Sequence, residues 1–351
     1  MDELIAPTLE LSRSQFLRNL EAVHRQIAPS GLMIAMKDDA YGHGVEWVMD
    51  AALSASDDLV RLYGGYDVPT SLRIRACSEH APVFAWATST ASEVEQALRH
   101  RIELGVGTSE YLTRVVDAAA RLGVRARVHL KIDTGLHRNG VRPEEWAAFV
   151  AHAITAERAG HIALVGVWSH LAEASDAEDD EAAAEFARAV ELVRVSGGTP
   201  EMLHLTASAA SWWRPELRGT VSRIGAFCYG IRSADGPEIP GVAPIAALRA
   251  AVRAVDADLV EVGVGSLHGL PSTLTGAQIG TPGGPRTVRR IGPVTSFVEA
   301  WDGAAVGDTV TVFGPGGQGE SDATALAERI GTVGEEILTR LTDQVRRVSV
   351  S

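Results

Sequence analysis

From Leu32 to about Ile231, short β-branched, apolar runs alternate with alanine-rich stretches of helical period. This alternation restricts the fold more than any other feature of the chain. The candidate strands number eight: LMIAMK, LVRLYGGY, PVFAWA, RIELGVG, ARVHLKID, IALVGVWSH, MLHLTAS and SRIGAFCYGI. Between them lie helical stretches such as ASEVEQALRHR, SEYLTRVVDAAARLG, PEEWAAFVAHAITAERAG and DDEAAAEFARAVELVRVSGG, the last closing on glycines that suit a C-terminal stop. Eight βα units in this space match a (β/α)8 TIM barrel better than an open doubly wound sheet. The fold class is therefore α/β.

Beyond Ile231 the texture changes. The linker SADGPEIPGVAP is rich in Pro and Gly, and LVEVGVG, TVRRIGPVTSFVEA, DTVTVFG and VRRVSVS follow it, with one helix-like insert around SDATALAERIG. The expected division is a barrel over residues 1–231 and a smaller, mostly β domain over 232–351, to which TLELS, within residues 1–12, adds a strand. The acidic run EDDEAAAEF reads as the solvated first turn of a helix.

With 351 residues, 46% of them hydrophobic, burial of a large core is assured. The net charge of −13, with no Lys/Arg cluster, gives nucleic acid or an anionic membrane no electrostatic purchase. A small-molecule enzyme is expected. Cys77 and Cys228 are too few and too far apart for a disulfide framework or a metal site, so no metal is expected and a reducing cytoplasm is the default. The segment MDELIAPTLELS has no basic stretch ahead of an apolar one, and no run of about 18 apolar residues occurs, so neither export nor insertion is expected.

The first strand ends in MKDDAYGHG, Met36 to Gly44. Lys37 then falls at the carboxyl end of a barrel strand, the face on which such barrels build active sites. An amine desolvated there becomes nucleophilic toward an aldehyde. Taken alone, a strand-end lysine is more often solvent-facing. Its neighbours reverse that, because KDDAYGHG resembles the KADAYGHG signature of the alanine racemase family, with Asp38 as a mild departure. The resemblance implies pyridoxal 5′-phosphate (PLP) held by Lys37 as an aldimine, with Tyr41 on its phosphate.

Four further blocks are similar to the same family. KIDTGLHRNGV resembles K-x-D-T-G-M-x-R-x-G and implies that Arg138 bonds the cofactor's phenolic oxygen and the substrate carboxylate, steadied by Lys131, which is often carbamylated in the family. A bidentate guanidinium suits that task; the plainer alternative is a salt bridge between Arg138 and Asp133. VWSHLAEASD resembles Y-T-H-F-A-x-A-D and implies that His170 lies against the cofactor ring and bonds the arginine beneath it. HLTASAA and SRIGAFCYGI resemble H-x-x-N-S-A-A and V-R-x-G-I-x-x-Y-G, implying phosphate contacts from Ser208 and from the backbone of Gly225 and Ala226. The loops after strands seven and eight are common phosphate sites in barrels. Arg223 takes the place of the arginine facing the pyridine nitrogen, where a permanent cation weakens the electron sink and favours return of the proton over transamination. A buried structural arginine is the alternative.

The C-terminal half departs from the family. Its VSYGxxY-type stretch, whose tyrosine reaches across a dimer as the second acid/base, is missing, and Ser266 stands where a further motif has tyrosine. Pro293 and Val294 replace a Met-Asp pair, Asp343 stands at a phosphate-binding tyrosine, Ala207 replaces an asparagine, and Trp168 replaces a tyrosine near the cofactor. A carboxylate at 343 would repel phosphate. His268 is the nearest titratable residue in sequence to the lost motif and is a candidate substitute base, against an ordinary exposed loop histidine.

The resemblance implies a PLP-dependent amino-acid racemase, an isomerase acting on a small amino acid as a homodimer. Two alternatives remain open at this point: one-sided Cα chemistry on the same scaffold (D-amino-acid aldolase, decarboxylase or lyase), and a non-catalytic PLP-binding protein. The surviving β domain argues against the last.

Overall fold

The computed structural model describes residues 6–56 and 58–351. Two compact units divide the chain: Val23–Lys37 with Ala52–Gly225 form one, and Met1–Ala22, Asp38–Ala51 and Ala226–Ser351 the other. The chain thus passes between units immediately after Lys37 and immediately after Gly225.

β1 (Thr8–Ser12) belongs to the second sheet. Eight parallel strands build the barrel: β2 (Gly31–Ala35), β3 (Leu62–Tyr66), β4 (Val83–Ala85), β5 (Glu103–Val106), β6 (Ala126–Lys131), β7 (Ile162–Trp168), β8 (Met202–His204) and β9 (Val221–Ile224). The hydrogen-bonded order is β8-β7-β6-β5-β4-β3-β2-β9, a nearly closed ring. Between β9 and β8 the bond from Arg223 N–H to the Thr206 carbonyl, at 3.2 Å, narrows the remaining gap. All eight strands read from the sequence are present.

Local chemistry explains the helices around them. Asp67, Thr90, Thr108 and Ser175 each cap a helix start with a side-chain oxygen, and Thr90 with Glu93 completes a reciprocal capping box. Gly123, at φ 64°, ends helix Ser109–Leu122 in the left-handed conformation that glycine adopts without cost. Met33, Leu62, Phe84, Val165, Trp168, Met202 and Val221 form a buried cluster from six of the barrel strands, so the barrel is packed and not a pore.

In the other unit the strands are β10 (Ala246–Val255), β11 (Leu259–Val262), β12 (Gln278–Ile279), β13 (Arg286–Ile291), β14 (Ser296–Glu299), β15 (Thr309–Phe313) and β16 (Arg346–Val350). Their order is β12-β13-β14-β11-β10-β1-β16, with β15 also on β10. TLELS is β1, antiparallel to β10 and parallel to β16. TVRRIGPVTSFVEA forms the antiparallel pair β13 and β14, parted by Gly292-Pro293. Besides helix Ala323–Arg329, at the expected insert, a helix over Gly334–Thr339 was not foreseen. No helix among the described residues is long and apolar enough to cross a membrane, and they contain no metal-like cluster of His, Cys, Asp and Glu.

Candidate active site

Strand ends on the carboxyl side of the barrel carry the candidate residues. Lys37 follows β2 by two residues and is half-buried. Met36 N–H donates to the Gly64 carbonyl at 2.8 Å, which keeps this strand end in register with β3. Beyond Lys37 the backbone does something the sequence did not announce. Asp38, Asp39, Ala40 and Tyr41 all have φ between 53° and 56°, a left-handed turn made of non-glycine residues. At roughly 1–2 kcal/mol per residue such a turn costs several kcal/mol in total. Within its unit it is offset by burial of Ala40 and Tyr41, the Tyr41–Tyr229 ring contact at 5.0 Å, and bonds from Gly42 N–H to the Asp38 carbonyl and from Gly44 N–H to that of Asp39, both 2.9 Å. Strain held in this way marks functional segments. Burial and nearby carboxylates raise the Tyr41 phenol well above its ordinary range.

His170 is the meeting point of the barrel's cations. Its pKa is pushed down to about 3 by burial and then by the charges of Arg223, Arg138, Lys131 and Lys37. It is therefore neutral at pH 7, and its Nδ1 accepts from Arg223 Nη2 at 3.1 Å. The Arg223 guanidinium is buried and also donates to the carbonyls of Ser169 and His204 at 2.7 Å and Leu205 at 2.8 Å, and faces His204 Nδ1 at 3.2 Å. Burial lowers Arg223 to about 9, so it stays charged at neutral pH.

Lys131, at the end of β6, is buried with its Nζ over the Trp168 ring at 4.4 Å. Burial, then Arg223 and Arg138, push it down to about 8. Arg138 is exposed and makes no ion pair with Asp133. Asp133 is instead taken up by its own loop, accepting from Gly135 N–H at 3.1 Å, His137 N–H at 3.0 Å and His137 Nδ1 at 3.0 Å. Glu173, the carboxylate that acts on Arg223, is occupied by Ala210 N–H at 3.2 Å, and burial raises its pKa. Trp168 Nε1 is buried without a hydrogen-bond partner.

Gly225 N–H donates to Ser208 Oγ at 3.1 Å, joining the loops after β8 and β9. Ala207 precedes Ser208 and contributes no side-chain cap. Ala226 is buried and opens the next stretch of the other unit. His268 lies in that unit and is buried, not on an exposed loop: its Nδ1 accepts from Gly265 N–H at 3.0 Å, and burial lowers its pKa. Ser266, Pro293, Val294 and Asp343 are exposed. β10 turns into β11 through residues 256–258 alone, with no room for the missing VSYGxxY-type stretch.

The arrangement is a barrel mouth where four cations converge and the nearby carboxylates are engaged by amides. A model of the alanine racemase N-terminal domain matches residues 11–233, and one of the alanine racemase C-terminal domain matches residues 255–349. The chain belongs to the alanine racemase family. It is 31% identical to the alanine racemase of Thermobifida fusca over 94% of both chains, and 32% identical to that of Beutenbergia cavernae over 95% of this chain and 94% of the relative. Solved structures of alanine racemases from a D-cycloserine-producing Streptomyces lavendulae and from Streptomyces coelicolor superpose with TM-scores of 0.93 and 0.92 at 27% identity, each covering 98% of the solved chain and 99–100% of this one. Enzymes of this family are PLP-dependent isomerases.

Membership sharpens one departure. All five tyrosines, at 41, 63, 66, 111 and 229, precede the C-terminal region, so residues 232–351 hold none. Three residues that the sequence did not single out also join the site from below: His204, His129 and Glu103. His129 had a signal, since period two along β6 puts it on the face of Lys131.

Proposed function

We propose that the chain is a PLP-dependent racemase of a small amino acid, with Lys37 as the covalent anchor of the cofactor. The observation that carries this reading is the convergence of Lys37, Lys131, Arg138 and Arg223 on His170 while Asp133 and Glu173 are engaged by backbone amides. Such a mouth suits an anionic aldehyde and an amino-acid carboxylate. The Trp168 Nε1–H, unpaired among the described residues, offers a free donor. When bound, the cofactor supplies the electron sink that makes the amino acid's Cα–H acidic.

The chain's own groups divide the remaining work. Arg138, without an ion-pair partner among the described residues, would hold a carboxylate bidentately. Arg223 presents a fixed charge, and its bond to His170 Nδ1 leaves the imidazole hydrogen on Nε2. Ser208 and the amide of Gly225 would hold the phosphate, a role the family resemblance also gives to Ala226 and Tyr41. Lys37 takes and returns the proton on one face of Cα. The second group is no tyrosine of residues 232–351, whether from this copy or a partner, because that region has none. A homodimer is part of this reading. Leu267, whose N–H donates to the Pro293 carbonyl, and the next residue Val294 are each 52% exposed, apolar side chains suited to burial against a second copy.

The missing tyrosine favours a second reading, one-sided Cα chemistry on a single enantiomer. One experiment separates them. Protein incubated with PLP is treated with borohydride and mapped, and the adduct is expected on Lys37; Cα exchange is then followed in D2O over a panel of D- and L-amino acids. Exchange into both enantiomers with interconversion supports the racemase, and exchange or breakdown of one supports the second reading. An adduct without exchange means a carrier; no adduct at Lys37 overturns all three.

A further inference from the structure

A line of buried polar groups crosses the otherwise apolar barrel beneath the site. Glu103 opens β5 at the amino end of the barrel and is paired with Arg127 Nε at 2.6 Å. Glu103 Oε2 lies 2.8 Å from His129 Nε2, His129 Nδ1 lies 2.9 Å from His204 Nε2, and His204 Nδ1 faces Arg223 at 3.2 Å. Both imidazoles are fully buried.

The two ends dictate where every hydrogen sits. Arg223 has only donors, so it favours a lone pair on His204 Nδ1, with that ring's hydrogen on Nε2. That hydrogen points at His129 Nδ1, which must accept, so His129 carries its own hydrogen on Nε2, aimed at the carboxylate. The pattern closes only if the far end is an acceptor. Were His129 doubly protonated, or of the other tautomer, its Nδ1–H would force the His204 hydrogen onto Nδ1, against Arg223. Glu103 is suited to its role: although burial opposes its ionisation, the bonds from His129 and Arg127 hold its pKa below the ordinary value. His204 is held neutral by burial, then by His129 and Arg223.

We propose that Glu103 is a positioning residue: through the hydrogens of His129 and His204 it keeps a lone pair facing Arg223, and so holds that guanidinium aimed at His170. The line concerns only the chain's own bonds and stands whether or not the site takes PLP. Its contribution to turnover rests on the function proposed above.

The test is the tautomer state of the buried histidines by 15N NMR of [15N]His-labelled protein, prepared without and with PLP and assigned by single His→Gln variants. The native protein is expected to show His129, His204 and His170 all with hydrogen on Nε2. Glu103→Leu is expected to shift His129 and His204 to a mixture of tautomers and to broaden the Arg223 guanidinium signals. Arg127→Ala, which keeps the carboxylate, is expected to leave both unchanged. If Glu103→Leu does not fold, Glu103→Gln is read instead, since its amide can donate as well as accept and gives the same mixture. In the loaded enzyme kcat should fall roughly tenfold, the loss typical of removing a supporting partner, with KM changed far less. Native tautomers in both Glu103 variants, or an Nδ1–H tautomer of His204 in the native protein, overturn the proposal. A failed Lys37 adduct would sink the cofactor reading and leave these signals untouched.

Discussion

Arg223 donates to Nδ1 of His170 at 3.1 Å, so a permanent cation and a neutral imidazole form one unit at the barrel mouth. The pairing has a consequence in acid. His170 has a folded pKa of about 3 against an ordinary 6.5, so between these values the unfolded chain binds more protons than the folded one. Stability then rises with pH across that window and is lost as pH falls from 6.5 toward 3. The expected slope from this group is at most about 1.4 kcal/mol per pH unit. Urea unfolding of the native protein and of His170→Asn over this range should show the smaller slope in the variant; equal slopes contradict the assignment. His43, lowered to about 4 chiefly by burial, contributes the same background to both.

Replacing Arg223 by Met removes the donor from the Ser169, His204 and Leu205 carbonyls, all within 2.8 Å. Breaking one side of a buried charged network typically costs about 3–5 kcal/mol. A denaturation midpoint equal to that of the native protein would show the carbonyls to be satisfied some other way.

Gly166 of β7 leaves room for the His129 ring, since a Cβ there would stand 2.2 Å from His129 Nδ1. The contact is with a ring locked at both nitrogens, which cannot swing aside. Gly166→Ala should therefore destabilise the barrel by about 1–3 kcal/mol, as overpacking does, and displace the His129 NMR signals. A stable variant with native signals would place His129 elsewhere.

Lys131 lies near Arg138, and neither makes an ion pair among the described residues. With its pKa at about 8, roughly a tenth of the amine is unprotonated at pH 7. That fraction can add CO2, the nitrogen lone pair forming the N–C bond with loss of one proton, to give a carbamate anion facing Arg138. In 13C-bicarbonate a carbamate resonance is expected from the native protein and none from Lys131→Met; its persistence in the variant rules Lys131 out. For the uncarbamylated amine, the unfolded chain binds the extra proton between about 8 and 10.5, so stability rises with pH there.

Tyr41→Phe removes one hydrogen bond to the phosphate in the proposed site. A charge-assisted bond of about 1.5–3 kcal/mol corresponds to a loss of PLP affinity of about tenfold or more. Fluorescence titration of the apoprotein checks this, and an unchanged Kd would remove Tyr41 from the phosphate site.

The eight barrel strands and the strand-end positions of Lys37, Lys131 and His170 were legible because both depend on short-range information. A run of apolar residues sets a strand, and its last residue sets which end a side chain occupies. The same local reading missed Gly334–Thr339, a helix too short to show a period. It also placed Asp133 as the alternative partner of Arg138, whereas the loop's own amides reach that carboxylate first. His268 read as a loop residue and is buried, since burial depends on what packs over a segment and not on the segment.

The residue types alone determined the barrel, the lysine at its mouth and the absence of any tyrosine beyond position 229. Only the tertiary structure decided that Asp38–Tyr41 would turn left-handed, because intrinsic preference opposes that turn and long-range burial overrides it. It alone also joined Glu103, His129, His204 and Arg223, which come from four different strands. The direction of each hydrogen bond in that line depends on both ends of the line, Glu103 and Arg223, which lie 120 residues apart in the chain.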